Sequence, residues 1–253
     1  AMSLNGSPAP RARRLGLIVL MLGAVCIGIM PNAAKLDYGE GVSPLGLLVL
    51  RSAIGAIGLA LFLWARREKL LVPRKLVPKT AAAGVALLMA AGGGMGAVAY
   101  IDVTVASVIF FTYPIFVAVV NHVRGTTRLS LAEIILIALA FVGVALALGL
   151  RRESLDQLNY TGLGLALLSS VGITTVILTT TATTAALGTV RANLHMNLWG
   201  VVYFIALALA LPALGLAGES VYPQSAFAWL YVLIAALGFT LGYLLFFVAA
   251  KIL

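Results

Sequence analysis

The chain alternates long runs of apolar residues with short polar connections. Each run is close to the roughly 20 residues that a helix needs to cross a bilayer. This pattern predicts eight transmembrane helices. They are expected at residues 14–33, 45–65, 80–100, 104–122, 130–150, 160–182, 194–214 and 227–250.

Composition indicates that lipid surrounds most of the chain. Hydrophobic residues make up 62% of the 253 residues and charged residues 10%. The mean hydropathy is +1.10. Because so few charges cannot cover the surface of a soluble domain of this size, we predict an all-α integral membrane protein.

The basic residues lie mostly on one side of the predicted membrane. If the N-terminus is cytoplasmic, 13 of the 17 basic residues face the cytoplasm, three face outward and Arg51 lies within a helix. The positive-inside rule therefore predicts a multi-pass membrane protein with a cytoplasmic N-terminus. This placement explains the formal net charge of +9 without nucleic acid as a partner. The cytoplasmic set is Arg11, Arg13, Arg14, Arg66, Arg67, Lys69, Arg74, Lys75, Lys79, Arg124, Arg128, Arg191 and Lys251.

The first apolar run is predicted to be a membrane span preceded by a polar tail, residues 1–13. It is too long for a signal peptide, and Met30-Pro31-Asn32 lacks the small residues of a cleavage site. The single cysteine, Cys26, lies within this run, so neither a disulfide nor a cysteine metal site is expected. The sequence also has no zinc-protease, P-loop or serine-hydrolase motif. We therefore predict no enzyme activity, no metal and no cofactor.

Five predicted helices, in residues 14–150, precede the polar connection 151–160. Because an odd number of crossings leaves the chain on the opposite side, a second copy of this unit would be inverted. The second unit, 159–253, holds three predicted helices, so we expect the natural protein to continue through two more. Both units contain two glycines four residues apart followed by a tyrosine: Gly92, Gly96 and Tyr100 in the first, and Gly238, Gly242 and Tyr243 in the second.

The segment AYIDVTVASVIFFTYPIFVAVVN, residues 99–121, contains Ala106-Ser107 followed by Tyr113-Pro114. It resembles the region joining the third and fourth helices of EamA-type members of the drug/metabolite transporter superfamily. LSLAEIILIALAFVGVALALG, with Glu133 near its start, is similar to that family's fifth helix, and Arg51 matches a basic residue often found in the second.

The resemblance implies ten helices in two inverted five-helix units, and among subfamilies it is nearest to bacterial metabolite exporters such as the YddG-type amino-acid exporters. Two departures stand out. Residues 125–128, GTTR, replace the usual Gly-Glu before the fifth helix. The ninth and tenth helices are absent, and the resemblance would place part of the central cavity on the ninth.

Arg51 is the only basic residue predicted deep within a helix, roughly 10 Å along its axis. A cation at that depth needs a partner or water. Asp102, at the outer end of the third helix, is the expected partner, in a charge-assisted hydrogen bond. A structural ion pair, a snorkelling side chain and direct contact with a substrate carboxylate all remain open.

Polar and aromatic side chains within the apolar runs are the other candidates for a substrate site. His195 and Trp199 share a helix face, and with Asn197 they could form the inner rim of a cavity or a membrane-interface cluster. The tyrosines could line a pocket or simply pack. Prolines are expected to end the first helix at Pro31-Asn32 and to interrupt the fourth at Pro114, as cavity lining, hinges or plain kinks. The predicted substrate-binding residues are Asn32, Arg51, Tyr100, Tyr113, His195, Trp199 and Tyr243.

Together with this resemblance, the sequence predicts a secondary transporter that exports small metabolites, in particular amino acids, across the bacterial inner (plasma) membrane by alternating access. Its partners would be a small-molecule substrate and membrane lipid, and it would act as a monomer. Carriage of a drug-like cation or a sugar conjugate remains an alternative, as does a membrane enzyme acting on lipid-linked substrates. Because all eight acidic residues map to loops or helix ends, we expect weak coupling to protons or none.

Overall fold

The computed structural model describes residues 10–125, 130–147, 159–215 and 220–252. Within these ranges the chain forms helices and no strands. A 3₁₀ turn, Arg74–Leu76, leads into α3, and a π-helical segment, Leu88–Gly92, joins α3 to α4. The α-helices are α1 (Pro10–Gly39), α2 (Pro44–Ala65), α3 (Val77–Leu87), α4 (Gly93–Tyr100), α5 (Val103–Phe110), α6 (Tyr113–Val123), α7 (Leu131–Ala147), α8 (Tyr160–Leu187), α9 (Thr189–Ala213) and α10 (Ala226–Ile252).

Among the described residues, seven helical stretches are long and apolar enough to cross a membrane. They correspond to seven of the eight predicted crossings, and the chain is an all-α integral membrane protein. The remaining prediction, 130–150, corresponds to α7, whose 17 residues fall outside the seven. Most of the predicted tail and most of the connection between the two units, residues 1–9 and 148–158, lie outside the described residues.

The first helix is longer than predicted at both ends. It begins at Pro10, within the predicted tail, and continues through Pro31 to Gly39. The prediction that Pro31-Asn32 would end it was wrong. A proline within a helix removes one backbone hydrogen bond. The following residues, Ala33 to Leu36, are good helix formers and the helix continues through the gap.

The fourth crossing is interrupted where the sequence predicted. A turn at Phe111 and Thr112 separates α5 from α6 and places Pro114 in the first turn of α6, where its missing N–H costs nothing. Helix α8 packs against this interruption and forms hydrogen bonds with it. The hydroxyls of Thr112 and Ser170 are hydrogen bonded at 2.8 Å, and Ser170 also donates to the carbonyl of Phe110 at 3.3 Å.

Three long interfaces organise the bundle: α1 packs along α10, the π segment and α4 pack along α8, and α2 packs along α9. Glycines allow close approach in each. A Cβ on Gly238 would lie 2.7 Å from the carbonyl oxygen of Cys26, and one on Gly172 would collide with the backbone of Ala90. Packing of this kind is typical of membrane helices, where small residues let backbones approach each other.

Helix α2 lies inside the bundle, in contact with α9 and α10. Its buried face runs from Gly46 to Leu63 and includes Arg51 and Ser52. A Cβ on Gly55 would meet Asn197, whereas one on Gly200 would meet Ser52, so α2 and α9 cross in antiparallel directions. The polar side chains that could bind a ligand lie along this face of α2.

Candidate functional site

Arg51 is the centre of the candidate site. Ser43 caps α2 by accepting a hydrogen bond from the backbone N–H of Gly46, and Pro44 begins the helix, so Arg51 lies about two turns inside it. Its side chain is 0% exposed. Nη1 donates to the sulfur of Met30 at 3.2 Å, and the guanidinium carbon lies 3.9 Å from the ring centre of Phe239.

The charge of Arg51 is only partly compensated. Nε and Nη2 have no hydrogen-bond partner within the described part of the chain. A desolvated cation–π contact contributes about 2 kcal/mol. Burial of an ion costs several kcal/mol, and a thioether is a weak acceptor. Two unpaired donors on a planar fork are suited to a carboxylate, which can accept two parallel hydrogen bonds.

Aromatic side chains surround the guanidinium. Tyr38 and Tyr243 lie close enough to interact with it electrostatically, and Tyr113 interacts with Tyr243 in turn. The rings of Phe239 and Tyr243 are 4.6 Å apart. The hydroxyl of Tyr38 donates to the carbonyl of Met95 at 3.0 Å. Of the predicted site residues, the structure brings Arg51, Tyr113 and Tyr243 together.

The predicted pairing of Arg51 with Asp102 does not form. Asp102 is exposed and caps α5, accepting a hydrogen bond from the backbone N–H of Thr104 at 2.7 Å. This local interaction satisfies one of the free N–H groups at the start of a helix, a role for which aspartate is among the preferred residues. Arg51 instead faces Met30 and Phe239 in the interior.

A second group of buried polar side chains lies where α2, α9 and α10 meet. The amide nitrogen of Asn193 donates to the carbonyl of Thr240 at 3.2 Å. That of Asn197 donates to the backbone and side-chain oxygens of Asn193, each at 3.0 Å. Ser52 belongs to the same group and is also 0% exposed. We call these four residues, Ser52, Asn193, Asn197 and Thr240, the polar seam.

His195 and Trp199 lie apart from Arg51, near the connection between α2 and α3. His195 Nε2 is hydrogen bonded to the carbonyl of Leu70 at 2.9 Å. Trp199 Nε1 donates to the hydroxyl of Thr80 at 3.1 Å, and its ring stacks on Tyr203. Both side chains fix α9 to its neighbours. They also border a mostly apolar groove of about 280 Å³, lined by Leu71, Val72, Val77, Thr80, His195, Leu198, Trp199 and Val202.

Two of the other predicted substrate-binding residues, Tyr100 and Asn32, do not join the buried group. Tyr100 is 53% exposed at the end of α4. Asn32 is exposed, and its amide nitrogen donates to the carbonyl of Gly28 on its own helix at 3.4 Å. Pro114 is also exposed, whereas Pro31, inside α1, is half-buried.

The structure adds residues that the sequence did not single out. Met30, Tyr38 and Phe239 contact or surround Arg51, and each looks like an ordinary apolar or aromatic residue of a membrane helix. Asp37 was counted with the outer loops, but it lies in the last turn of α1. Its side chain is 0% exposed, and neither oxygen has a hydrogen-bond partner among the described residues. Asp37 therefore lies at a helix end, which agrees with the predicted positions of the acidic residues, but the burial of its side chain was not predicted.

Comparison with known proteins gives the family. The model of the EamA-like transporter family matches residues 14–149. A search of curated proteins found no match. The family match covers more than half of the chain and includes the helix that carries Arg51. The protein therefore belongs to the EamA-like transporter family, within the drug/metabolite transporter superfamily.

Proposed function

We propose that this transporter exports a small metabolite with a carboxylate group, in particular an amino acid, from a bacterial cytoplasm by alternating access. The observation that supports this substrate class is Arg51, a fully buried cation of which two nitrogens have no hydrogen-bond partner in the part of the chain that the structure describes. A carboxylate would neutralise the charge and accept both hydrogen bonds. The aromatic walls from Tyr38, Phe239 and Tyr243 would contact the apolar part of such a substrate.

Charge separates this proposal from the alternative substrates. A drug-like cation would be repelled by Arg51, and an uncharged sugar conjugate would leave the guanidinium unneutralised. A phosphorylated substrate carries more negative charge and would favour several basic residues in one place. Along the membrane-spanning part of α2, Arg51 is the one basic residue.

We also propose that the two units, 14–150 and 159–253, are inverted repeats. Under this proposal the first, second and third crossings of each unit are equivalent. The contact between α1 and α10 then corresponds to the contact of α8 with the π segment and α4, and both are long interfaces in the bundle. The contact of α2 with α10 corresponds to that of α9 with α3, which is also present, and the pair α2 and α9 corresponds to itself.

Close glycine contacts support the same correspondence. Gly238 lies 146 residues after Gly92, and the same interval relates Cys26 to Gly172. Gly238 closely approaches Cys26, while Gly172 approaches the π segment that contains Gly92. The two contacts thus lie within about one helical turn of equivalent positions, which supports the proposed repeat. Two units related in this manner can rock against each other, which is the usual basis of alternating access.

Counterflow in proteoliposomes tests the carboxylate assignment. Vesicles loaded with a mixed L-amino-acid panel should take up labelled members of that panel from outside. Arg51→Met should reduce uptake at least about tenfold, because loss of a buried charge pair typically costs 2–5 kcal/mol. The matched control is Arg66→Met. Arg66 follows the end of α2, is exposed, and also contacts a ring, that of Phe62 at 5.1 Å.

The same assay separates the competing functions. Uptake that is equal in Arg51→Met and the wild type would contradict carboxylate recognition by Arg51. If the panel is not transported at all, while a cationic drug mixture or a sugar-conjugate mixture is, the substrate class is wrong.

A further inference from the structure

Three oxygen atoms of the polar seam are buried without a partner. They are Ser52 Oγ, Asn197 Oδ1 and Thr240 Oγ1, none of which has a hydrogen-bond partner in the described ranges. Ser52 and Asn197 are 0% exposed and Thr240 is 8% exposed. An unpaired polar atom in the interior is costly, so each of these oxygens requires a hydrogen-bond or ion partner.

The three atoms face the same helix junction. The position that a Cβ on Gly55 would occupy is 2.5 Å from Thr240 Oγ1 and 2.9 Å from Asn197 Oδ1. Ser52 lies one turn before Gly55, and its Oγ is 3.2 Å from the corresponding position on Gly200, one turn after Asn197. Thr240 Oγ1 and Asn197 Oδ1 thus both pack against Gly55, and Ser52 Oγ packs against Gly200 at the same junction.

The chemistry of these three oxygens favours a ligand that donates hydrogen bonds, or a cation, over an anion. The amide nitrogen of Asn197 is already used in two hydrogen bonds to Asn193, which fixes the amide orientation and leaves Oδ1, an acceptor only, unpaired. Thr240 also differs from threonines such as Thr174 and Thr175, whose hydroxyls donate to the carbonyl four residues earlier. Its hydroxyl oxygen is instead directed at the junction.

We propose that Ser52, Asn197 and Thr240 form a binding site for a small monovalent cation, either the ammonium group of a zwitterionic substrate or a sodium ion. Neutral oxygens suit both, because each is bound by several lone pairs without a countercharge. In the first case the inference rests on the proposed function and extends it. The substrate carboxylate would bind at Arg51, and its ammonium group one turn further along α2.

The position of the polar seam supports a cation site next to the proposed carboxylate site at Arg51. Ser52 follows Arg51 in sequence, and Thr240 follows Phe239, whose ring contacts the guanidinium. Asn197 lies 146 residues after Arg51, the interval that relates the two proposed repeats. The first unit would thus contribute the hydrogen-bond donors of Arg51, and the second unit would contribute two of the three acceptor oxygens, those of Asn197 and Thr240.

Thr240→Val and Ser52→Ala remove the two hydroxyl oxygens with little change in shape. Because each hydroxyl is buried and unpaired, its removal should not unfold the protein. The matched control is Thr184→Val. Thr184 is 6% exposed on α8, and its hydroxyl is likewise without a hydrogen-bond partner among the described residues.

The experiment measures the melting temperature of the purified full chain in detergent. Sodium chloride is titrated against choline chloride at constant ionic strength. Separately, a mixed L-amino-acid panel is titrated against the matching carboxylic acids that lack the amino group. Stabilisation by sodium but not choline identifies the ion. Tighter binding of the amino acids than of their deaminated analogues identifies the ammonium group. In either case Thr240→Val or Ser52→Ala should lower the apparent affinity for sodium or for the amino acids about tenfold, and Thr184→Val should leave it unchanged.

The cation site is overturned if sodium and the amino acids raise the melting temperatures of Thr240→Val and Ser52→Ala as much as they raise that of the wild type. The absence of any sodium or ammonium effect in the wild type overturns it as well. Failure of the proposed function would look different, because the deaminated acids would then fail to bind the wild type or would bind Arg51→Met equally well. Sodium stabilisation can persist in that case.

Discussion

A fully buried ionic group whose charge is not compensated lowers the stability of the resting protein. In the described part of the chain Arg51 and Asp37 are two such side chains, and both interact electrostatically with Tyr38. Among the described residues, two nitrogens of Arg51 and both carboxylate oxygens of Asp37 have no hydrogen-bond partner. They do not neutralise each other, since the guanidinium makes its contacts with Met30 and Phe239. Groups of this kind are retained in membrane helices where a ligand or a conformational change completes them.

For Asp37 this reasoning predicts that Asp37→Asn stabilises the protein. Replacing an uncompensated buried carboxylate by a neutral amide of the same shape should raise the free energy of unfolding by about 1 kcal/mol or more. Thermal unfolding in detergent at neutral pH measures the change. Glu40→Gln is the control, because Glu40 is exposed and accepts a hydrogen bond from Ser225 at 2.7 Å. A lower melting temperature for Asp37→Asn would mean that the carboxylate has a partner that stabilises its charge.

The sequence predicted part of the site because one signal was strong. A single arginine within an apolar helix is conspicuous, and its cost can be estimated without a structure. Its neighbours could not be inferred in the same way. Met30 and Phe239 come from helices that are distant in sequence, and apolar side chains in a membrane protein carry no mark of which face is buried. Asp102 was chosen by charge alone, whereas its capping hydrogen bond is a property of the local backbone.

At the scale of the helices, the interfaces between α1 and α10 and between α4 and α8 depend on glycines, which have no side chain. Close backbone approach replaces the hydrophobic effect as the source of helix association in lipid. Sequence patterns identified glycine pairs but not their partners. Gly172, outside any pair that the sequence suggested, approaches the backbone of the π segment more closely than Gly92 approaches any neighbour.

We predict that Gly172→Ala destabilises the protein by at least about 2 kcal/mol, because the added methyl group would collide with the backbone of Ala90, which cannot rotate away. Gly164→Ala is the matched control on the same helix. It is exposed, no atom lies within 4 Å of its added Cβ, and it should be neutral or slightly stabilising. Melting temperatures of the two variants in the same detergent give the comparison. Equal melting temperatures would show that the interface between α8 and the π segment has room for a methyl group at Gly172.

At the scale of the whole molecule, hydropathy predicted the fold class well because the bilayer imposes length and backbone hydrogen bonding together. It located the crossings to within a few residues for most helices. It misplaced the end of α1, since helix formers after Pro31 outweigh the loss of one hydrogen bond. Which helices pack together is decided by shape rather than by hydropathy, so the three interfaces could not be inferred from the sequence.

The predicted orientation can be tested with single cysteines in a Cys26→Ala background. Glu40→Cys, at the turn between α1 and α2, should react with a membrane-impermeant maleimide in intact bacterial cells. Lys69→Cys, in the connection between α2 and α3, should react only after permeabilisation. Both positions are exposed, so a difference in labelling reports the side of the membrane. The reverse pattern would place the N-terminus outside, against the positive-inside rule.

The contact between Arg51 and the Met30 sulfur has a consequence for oxidative stress. Oxidation of a thioether to a sulfoxide adds a polar S=O group, a far better hydrogen-bond acceptor for a guanidinium. Oxidised Met30 would therefore occupy donors that a substrate carboxylate needs. We expect mild peroxide to inhibit counterflow, methionine sulfoxide reductase to restore it, and Met30→Leu to resist the treatment. Met21→Leu should give no protection, because Met21 is 69% exposed on the same helix and the sulfur that contacts Arg51 belongs to Met30.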